Sequence, residues 1–201
     1  MIFEISSILV KELRDITGAG MMNCKKALQE TDGNFEAAIK ALRQKGLASA
    51  DKKSNRVATE GIINSYIHTG RKIGVLLELN CETDFVSRRK EFHELADNLA
   101  MQIAASAEVH YIKVEDIPDT VFGAEKEIEL QKDDLKAKPI EIRDRILLGR
   151  VEKTLKSFAL LNQPFIRNPT ITVEELIKEK IALFGENIKI KRFIRYKLGT
   201  Q

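Results

Sequence analysis

Tryptophan is absent from the 201 residues, proline occurs four times and cysteine twice. Cys24 and Cys81 stand far apart and neither belongs to a Cys-x-x-Cys or Cys/His pattern. That excludes a disulfide framework and a zinc finger and suits a reducing compartment. Long apolar runs are missing as well: stretches such as Val75-Leu76-Leu77 fall far short of the ~18 residues of a membrane span. Met1-Ile2-Phe3-Glu4 is not a basic segment leading into an apolar one, so no secretory leader or transit peptide is expected. No sign of charge dominates. Thirty-three Lys and Arg meet 30 Asp and Glu, a net +3, which is little for a dedicated nucleic-acid binder. With 43% hydrophobic residues the chain is too apolar for disorder, and its length suits one or two globular domains.

Catalytic apparatus is lacking too. There is no G-x-S-x-G, no G-x-x-x-x-G-K-[ST], no H-E-x-x-H and no paired-cysteine motif. Thr17-Gly18-Ala19-Gly20 near Lys25-Lys26 follows a helical pattern instead of a strand and lacks the second glycine before the lysine, so it reads as an interhelical turn rather than a phosphate cradle. His68, His93 and His110 have no ligand spacing. No metal, no cofactor and no catalytic residue are expected.

What is present is well patterned. Residues 1–46 read as three short amphipathic helices: Ile5, Leu9, Leu13 and Ile16 on the first, Cys24, Ala27 and Leu28 on the second, Phe35, Ala38, Ile39 and Leu42 on the third. Gly18-Ala19-Gly20 ends the first helix, Asn23 is placed to cap the second, Asp32-Gly33-Asn34 turns into the third, and Gly46 closes it. Residues 47–60 are polar and without apolar period, as in a linker. Strands follow over Ile62–His68, where Ile63 and Ile67 alternate against Asn64 and His68, and over Ile73–Cys81, where Val75, Leu77, Leu79 and Cys81 share a face. Phe92, Leu95, Leu99 and Ile103 then form a helical stripe within residues 87–106. Two charged helices separated by Pro139 fill residues 119–161, a loop around Pro164 and Pro169 precedes a helix over Val173–Phe184, and Ile188–Leu198 alternates as a final strand. A lone last strand must pair with the hairpin, so residues 61–201 are expected to hold a three-stranded antiparallel sheet covered by helices on one face. The fold class is α+β.

Three places look like contact surface. Met21 and Met22 are adjacent, and both cannot face one small helical core, so at least one is expected outside. Thr83-Asp84-Phe85-Val86 sits on a strand-to-helix corner, where an aromatic beside an acid can project from a rigid base, although burial is the ordinary fate of a corner Phe. Arg88-Arg89-Lys90 places three cations at a helix start, which calls for carboxylate neighbours or an acidic partner. The terminal stripe of Lys189, Lys191, Arg195 and Lys197 has the character of a solvated outer strand.

At these same places the chain resembles a known family. Leu9 through Leu28, with Thr17-Gly18-Ala19-Gly20-Met21-Met22-Asn23 at its centre, Glu78 through Val86 with the Thr-Asp-Phe-Val corner, and Gly185-Glu186-Asn187-Ile188 are similar to the signatures of the elongation factor Ts family, nucleotide-exchange factors for the GTPase elongation factor Tu. The resemblance implies a ubiquitin-associated-like fold for residues 1–46 and an exchange and dimerisation core over 61–201. It implies that Arg14, Met21, Met22 and Asn23 dock on the GTPase, and that Thr83, Asp84, Phe85 and Val86 displace its Mg²⁺ and phosphate-binding elements. Asn23 stands where the family usually has Asp, and Arg88-Arg89-Lys90 is unusually basic. The single core resembles the short form of the family, which implies a homodimer.

The segment Lys45–Gly61 is most similar to cyanobacterial and plastid members. Twenty-three Ile and 21 Lys against 12 Arg suit an AT-rich genome. The plastid stroma, with the chain encoded there, or a bacterial cytoplasm is the implied location. The alternative reading is a ubiquitin-associated-type adaptor without exchange activity, to which the Thr-Asp-Phe-Val corner would be useless. An RNA-binding role for the final strand lacks interleaved aromatics beyond Phe193 and Tyr196, so neither nucleic acid nor membrane is an expected partner.

Overall fold

A computed structural model describes residues 5–136 and 139–199; residues 1–4 of the expected docking module and the last two of the expected core lie outside them. The chain falls into two compact units. The first comprises the residues up to Ile62, Leu79–His93 and Glu175–Lys189. It begins with three helices, α1 (Ser7–Thr17), α2 (Met21–Glu30) and α3 (Phe35–Asp51). Ser6 caps α1 by accepting the Leu9 N–H at 3.2 Å, and Gly18, left-handed at φ 67°, closes it. Asn34 caps α3 by accepting the Ala37 N–H at 3.0 Å. Val10, Leu13, Cys24, Ala27, Leu28, Ala38 and Leu42 form the core of the three.

Three local expectations are corrected here. Asn23 does not cap α2: the helix starts at Met21 directly after an extended Gly20, which leaves Asn23 in the first turn. Ile16 is not core but 63% exposed, since Val10 and Leu13 set the buried stripe and Ile16 lies about 120° round the helix from Val10 at ~100° per residue. Gly46 does not end α3, which runs on to Asp51 into the expected linker. A helical glycine costs about 1 kcal/mol relative to alanine, but a Cβ at Gly46 would come within 3.2 Å of the Ala182 Cβ. This glycine is there for close helix approach.

The second unit comprises Ile63–Glu78, Glu94–Glu174 and the residues from Ile190 onward. Strands β1 (Glu60–Ile67), β2 (Ile73–Cys81) and β5 (Lys189–Lys197) form the three-stranded antiparallel sheet in the order β1-β2-β5. The β1–β2 hairpin is closed by the His68 N–H donating to the Ile73 carbonyl at 2.9 Å. Helix α5 (Lys90–Ala105) covers one sheet face with Leu95, Leu99 and Ile103 fully buried. Polar bonds mark which residues face it: Asn64 donates to Asp97 at 3.0 Å, and the Arg195 guanidinium donates to the Ala104 carbonyl at 3.2 and 3.3 Å.

The alternation read from β2 holds inward, with Val75, Leu77, Leu79 and Cys81 buried, as is Ile190 of β5, whereas the apolar members of β1 and of the second half of β5 look outward. Ile63, Ile67, Leu76, Ile194 and Tyr196 are all exposed, while Arg195, expected on a solvated face, satisfies the end of α5. The charged segment folds as α6 (Asp119–Gln131), a single turn α7 (Asp133–Lys136) and α8 (Ile140–Phe158), with Pro139 at the N-cap of α8. Leu135, Leu147, Val151 and Leu155 are their core, and the buried Glu129 is paired with Lys132 and Arg150. Where a loop was expected, β3 (Pro164–Phe165) and β4 (Asn168–Thr172) pair as a short antiparallel hairpin. The buried Gln102 supports it, donating to the Pro164 carbonyl at 3.2 Å and accepting the Ile166 N–H at 2.8 Å. Helix α9 (Val173–Phe184) follows and spans the expected residues.

Candidate partner-binding site

Within the first unit, β2 ends at Cys81 and the chain turns through Glu82 and Thr83 into α4 (Asp84–Ser87), a helix of one turn. Thr83 occupies the N-cap in extended conformation, yet its side chain makes no bond to the helix it caps. The hydroxyl instead donates to Glu186 Oε1 at 2.6 Å, and the Thr83 N–H donates to Glu186 Oε2 at 3.0 Å. A second carboxylate mirrors the first: Glu82 Oε1 accepts the Asn187 N–H at 2.6 Å. The buried Asn187 side chain donates to the carbonyls of Ser54 at 3.1 Å and Arg56 at 2.7 Å. Charge-assisted bonds of this kind are stronger than neutral ones, and their buried groups are costly to leave unmade. Below the corner the Cys81 thiol donates to the Thr83 carbonyl at 3.1 Å. Burial, with Glu186 adding, pushes its pKa up to about 11, so it remains a protonated donor.

On this base Phe85 is 80% exposed while its neighbour Val86 is buried. The ordinary expectation of a buried corner Phe is thereby overturned. A one-turn helix has room for one inward edge, and Val86 and Ser87 occupy it. Asp84 is half-exposed and pairs with Arg88 at 2.8 Å, a surface contact of small energetic weight. Arg89 lies 4.9 Å from the centroid of the Phe184 ring and bonds Glu91 at 3.0 Å. That bond holds the Glu91 carboxyl below its usual range. The two arginines of the basic run thus have the carboxylate neighbours their position called for.

The helical part of the same unit carries the other candidates. Arg14 and Asn23 are exposed, and so are both methionines, Met21 at 42% and Met22 at 76%. The expectation that at least one lies outside holds for both. Behind them α9 packs closely: a Cβ on Gly18 would come 2.8 Å from Leu183 Cδ1. Arg43 lies 3.2 Å from Glu179 and 3.6 Å from Glu175, and Lys178 lies 2.8 Å from Asp51. These helices line an open cleft of about 370 Å³ bordered by Ile16, Gly18, Asn23, Leu42, Arg43 and Glu179 among others. Burial raises the Glu179 carboxyl against the pull of Arg43. Among the described residues no group of three or more His, Cys, Asp or Glu side chains could hold a metal ion, and no helix is long and apolar enough to cross a membrane.

The arrangement offers an exposed aromatic and an acid on a braced corner, and exposed apolar side chains at an interhelical turn, both suited to another protein's surface. The family model described as Elongation factor TS matches residues 20–200. The chain belongs to the elongation factor Ts family. It is 60% identical over 199 residues to the chloroplastic elongation factor Ts of Rhodomonas salina, covering 99% of this chain and 91% of that protein. It is 59% identical over 196 residues to elongation factor Ts of Synechococcus elongatus, covering 98% and 89%, and 56% identical to that of Synechocystis sp., covering 98% and 90%. Translation elongation is therefore the process in which this chain acts, and its relatives are chloroplastic and cyanobacterial. In this member of the elongation factor Ts family the groups that hold the corner, Glu82, Glu186 and Asn187, escape local sequence reasoning. Glu186 is 103 residues from the threonine it grips, and no spacing rule reaches that far; its place in the Gly185–Ile188 signature is the one signal.

Proposed function

We propose that this chain is a guanine-nucleotide exchange factor for elongation factor Tu, with Arg14, Met21, Met22 and Asn23 as the docking contact and Thr83–Val86 as the displacing corner. Residues 1–46 serve as the docking module, 47–60 as the connection, and 61–201 as the exchange and dimerisation core. The observation that carries the proposal is the exposure of Phe85 on a corner held by two carboxylates. A large apolar side chain left in water on a rigid base gains free energy when a partner buries it. GDP on a translational GTPase is held through phosphate contacts and a bridging Mg²⁺. A Phe85 wedge beside the Asp84 carboxylate weakens both by shifting the elements that hold them. No bond is made or broken in this chain, so the acceleration comes from binding energy realised only when the partner's site is deformed. Reciprocity then requires bound nucleotide to weaken the factor's grip by the same ratio, which makes GTP binding release it.

The outward apolar face of the sheet, with Ile63, Ile67, Leu76, Ile194 and Tyr196 exposed, supports a homodimer formed face to face. The working place is the plastid stroma or, for a bacterial source, the cytoplasm.

The test is a pair of affinities. Calorimetry on nucleotide-free and GDP-bound elongation factor Tu should give tighter binding to the first. The ratio should equal that by which this chain weakens GDP. Equal affinity for both forms would mark an adaptor without exchange activity and overturn the proposal.

A further inference from the structure

The geometry points to Glu186 as the positioning residue for the Phe85 wedge, acting from the α9–β5 turn through its two bonds to Thr83; this inference rests on the exchange reading above. Three observations converge on it. The first is what Thr83 gives up. The side chain of an N-cap threonine ordinarily accepts an N–H of its own helix, and here it accepts none, because the hydroxyl is turned back onto Glu186. A local rule is broken in favour of a contact 103 residues away, as is common where function has shaped the chain.

The second is the number of atoms fixed. Both carboxylate oxygens of Glu186 are used, one on the Thr83 backbone and one on its side chain, at 3.0 and 2.6 Å. Two bonds from one rigid group define the direction of the peptide as well as its position. Since α4 has only four residues, it has little stability of its own, and the direction of its first peptide sets where Phe85 points. Phe85 itself, 80% exposed, has little packing to hold it in place.

The third is where Glu186 is mounted. It follows Gly185, left-handed at φ 79° after α9, and precedes Asn187, whose side chain is fixed on the Ser54 and Arg56 carbonyls. Glu82 returns the grip by accepting the Asn187 N–H. The two turns are thus cross-braced, each supplying a carboxylate to the other's backbone. α9 in turn lies against the docking helices at Gly18 and Gly46. Docking and wedge are therefore tied to one frame, and Glu186 is the last link before the wedge.

The test measures GDP release from elongation factor Tu against factor concentration, which separates the maximal rate from half-saturation. Glu186→Ala should lower the maximal rate by about tenfold, with half-saturation changed less than about threefold, because the docking residues are untouched. Glu186→Gln keeps the shape and one accepting oxygen, so it should fall between Ala and wild type, which no loss of fold would produce; a circular-dichroism melt of each variant reports folding separately. In a Phe85→Ala background the same Glu186→Ala change should lower the maximal rate by less than about twofold, since a residue acting through Phe85 has nothing left to position. Full wild-type rates for both Glu186 variants, or undiminished losses without Phe85, would overturn the inference. A wild-type chain that fails to accelerate release would instead refute the exchange reading itself.

Discussion

Phe85 and Val86 are neighbours on one helical turn and should fail in opposite ways when each is cut to alanine. Phe85 is 80% exposed and Val86 6%. A phenylalanine side chain buries ~150–250 Å² when fully covered. Four-fifths of that, at ~25 cal/mol per Å², is about 3–5 kcal/mol available to a partner. Only the part realised when the nucleotide site is deformed appears in the rate. One kcal/mol and a half, about tenfold in the maximal release rate, is the least expected of Phe85→Ala. Its effect on the free chain's stability should stay within about 0.5 kcal/mol, as for other exposed positions. Val86→Ala removes two buried methyl groups from beneath the corner and should cost about 1–2 kcal/mol of stability, with a smaller loss of exchange than Phe85→Ala. Stopped-flow release of a fluorescent GDP analogue at saturating factor, paired with urea unfolding of each variant, separates the two. Wild-type release by Phe85→Ala would show that the corner is structural, and a large loss of stability in that variant would contradict the exposed placement.

Replacing Met21 and Met22 together with alanine should weaken complex formation by about 1–3 kcal/mol, in the range of interface hot spots, without altering the melt; unchanged calorimetric affinity would make them spectators. Sedimentation at micromolar concentration should give twice the 22.8 kDa chain mass, and Leu76→Glu with Ile194→Glu on the outward face should leave a folded monomer; a wild-type monomer still active in exchange would refute the dimer. Burial lifts the Glu179 carboxyl above its ordinary 4.5, Arg43 opposing and Glu175 adding. The stability this contributes is full below that ordinary value and is lost as pH rises through the raised one. Glu179→Gln should accordingly be more stable than wild type at neutral pH and converge with it near about pH 4, as read by urea unfolding at both; a variant less stable at neutral pH would show that the Arg43 pair outweighs burial.

Elements with strong, uninterrupted periods were readable to the residue. Val173–Phe184 and Ile73–Cys81 have the bounds their patterns predict, because the apolar period of each is uninterrupted. Features decided by distant neighbours were not. Gly46 looks like a helix stop until Ala182 is placed beside it. Ile63 and Ile67 reveal a strand but not which way it faces, since alternation is symmetric and the covered side is chosen by Asn64 meeting Asp97. The corner was legible as a corner, and at least one of Met21 and Met22 as surface; that both are exposed came from the fold. That Phe85 stands outside depends on Val86 and Ser87 taking the inward edge, and Glu186 gains a role only when the fold brings it to Thr83.

An exchange factor must speed nucleotide loss from elongation factor Tu, and that speed can be read in a single mixing experiment. Elongation factor Tu loaded with fluorescent GDP is mixed with excess unlabelled nucleotide and increasing amounts of this chain, and the release rate is followed by stopped flow. The expected result is a rate that climbs with concentration to a plateau well above the spontaneous one, with a plateau about tenfold lower, though still above the spontaneous rate, in Phe85→Ala. A rate that stays flat while binding is evident by calorimetry would contradict it.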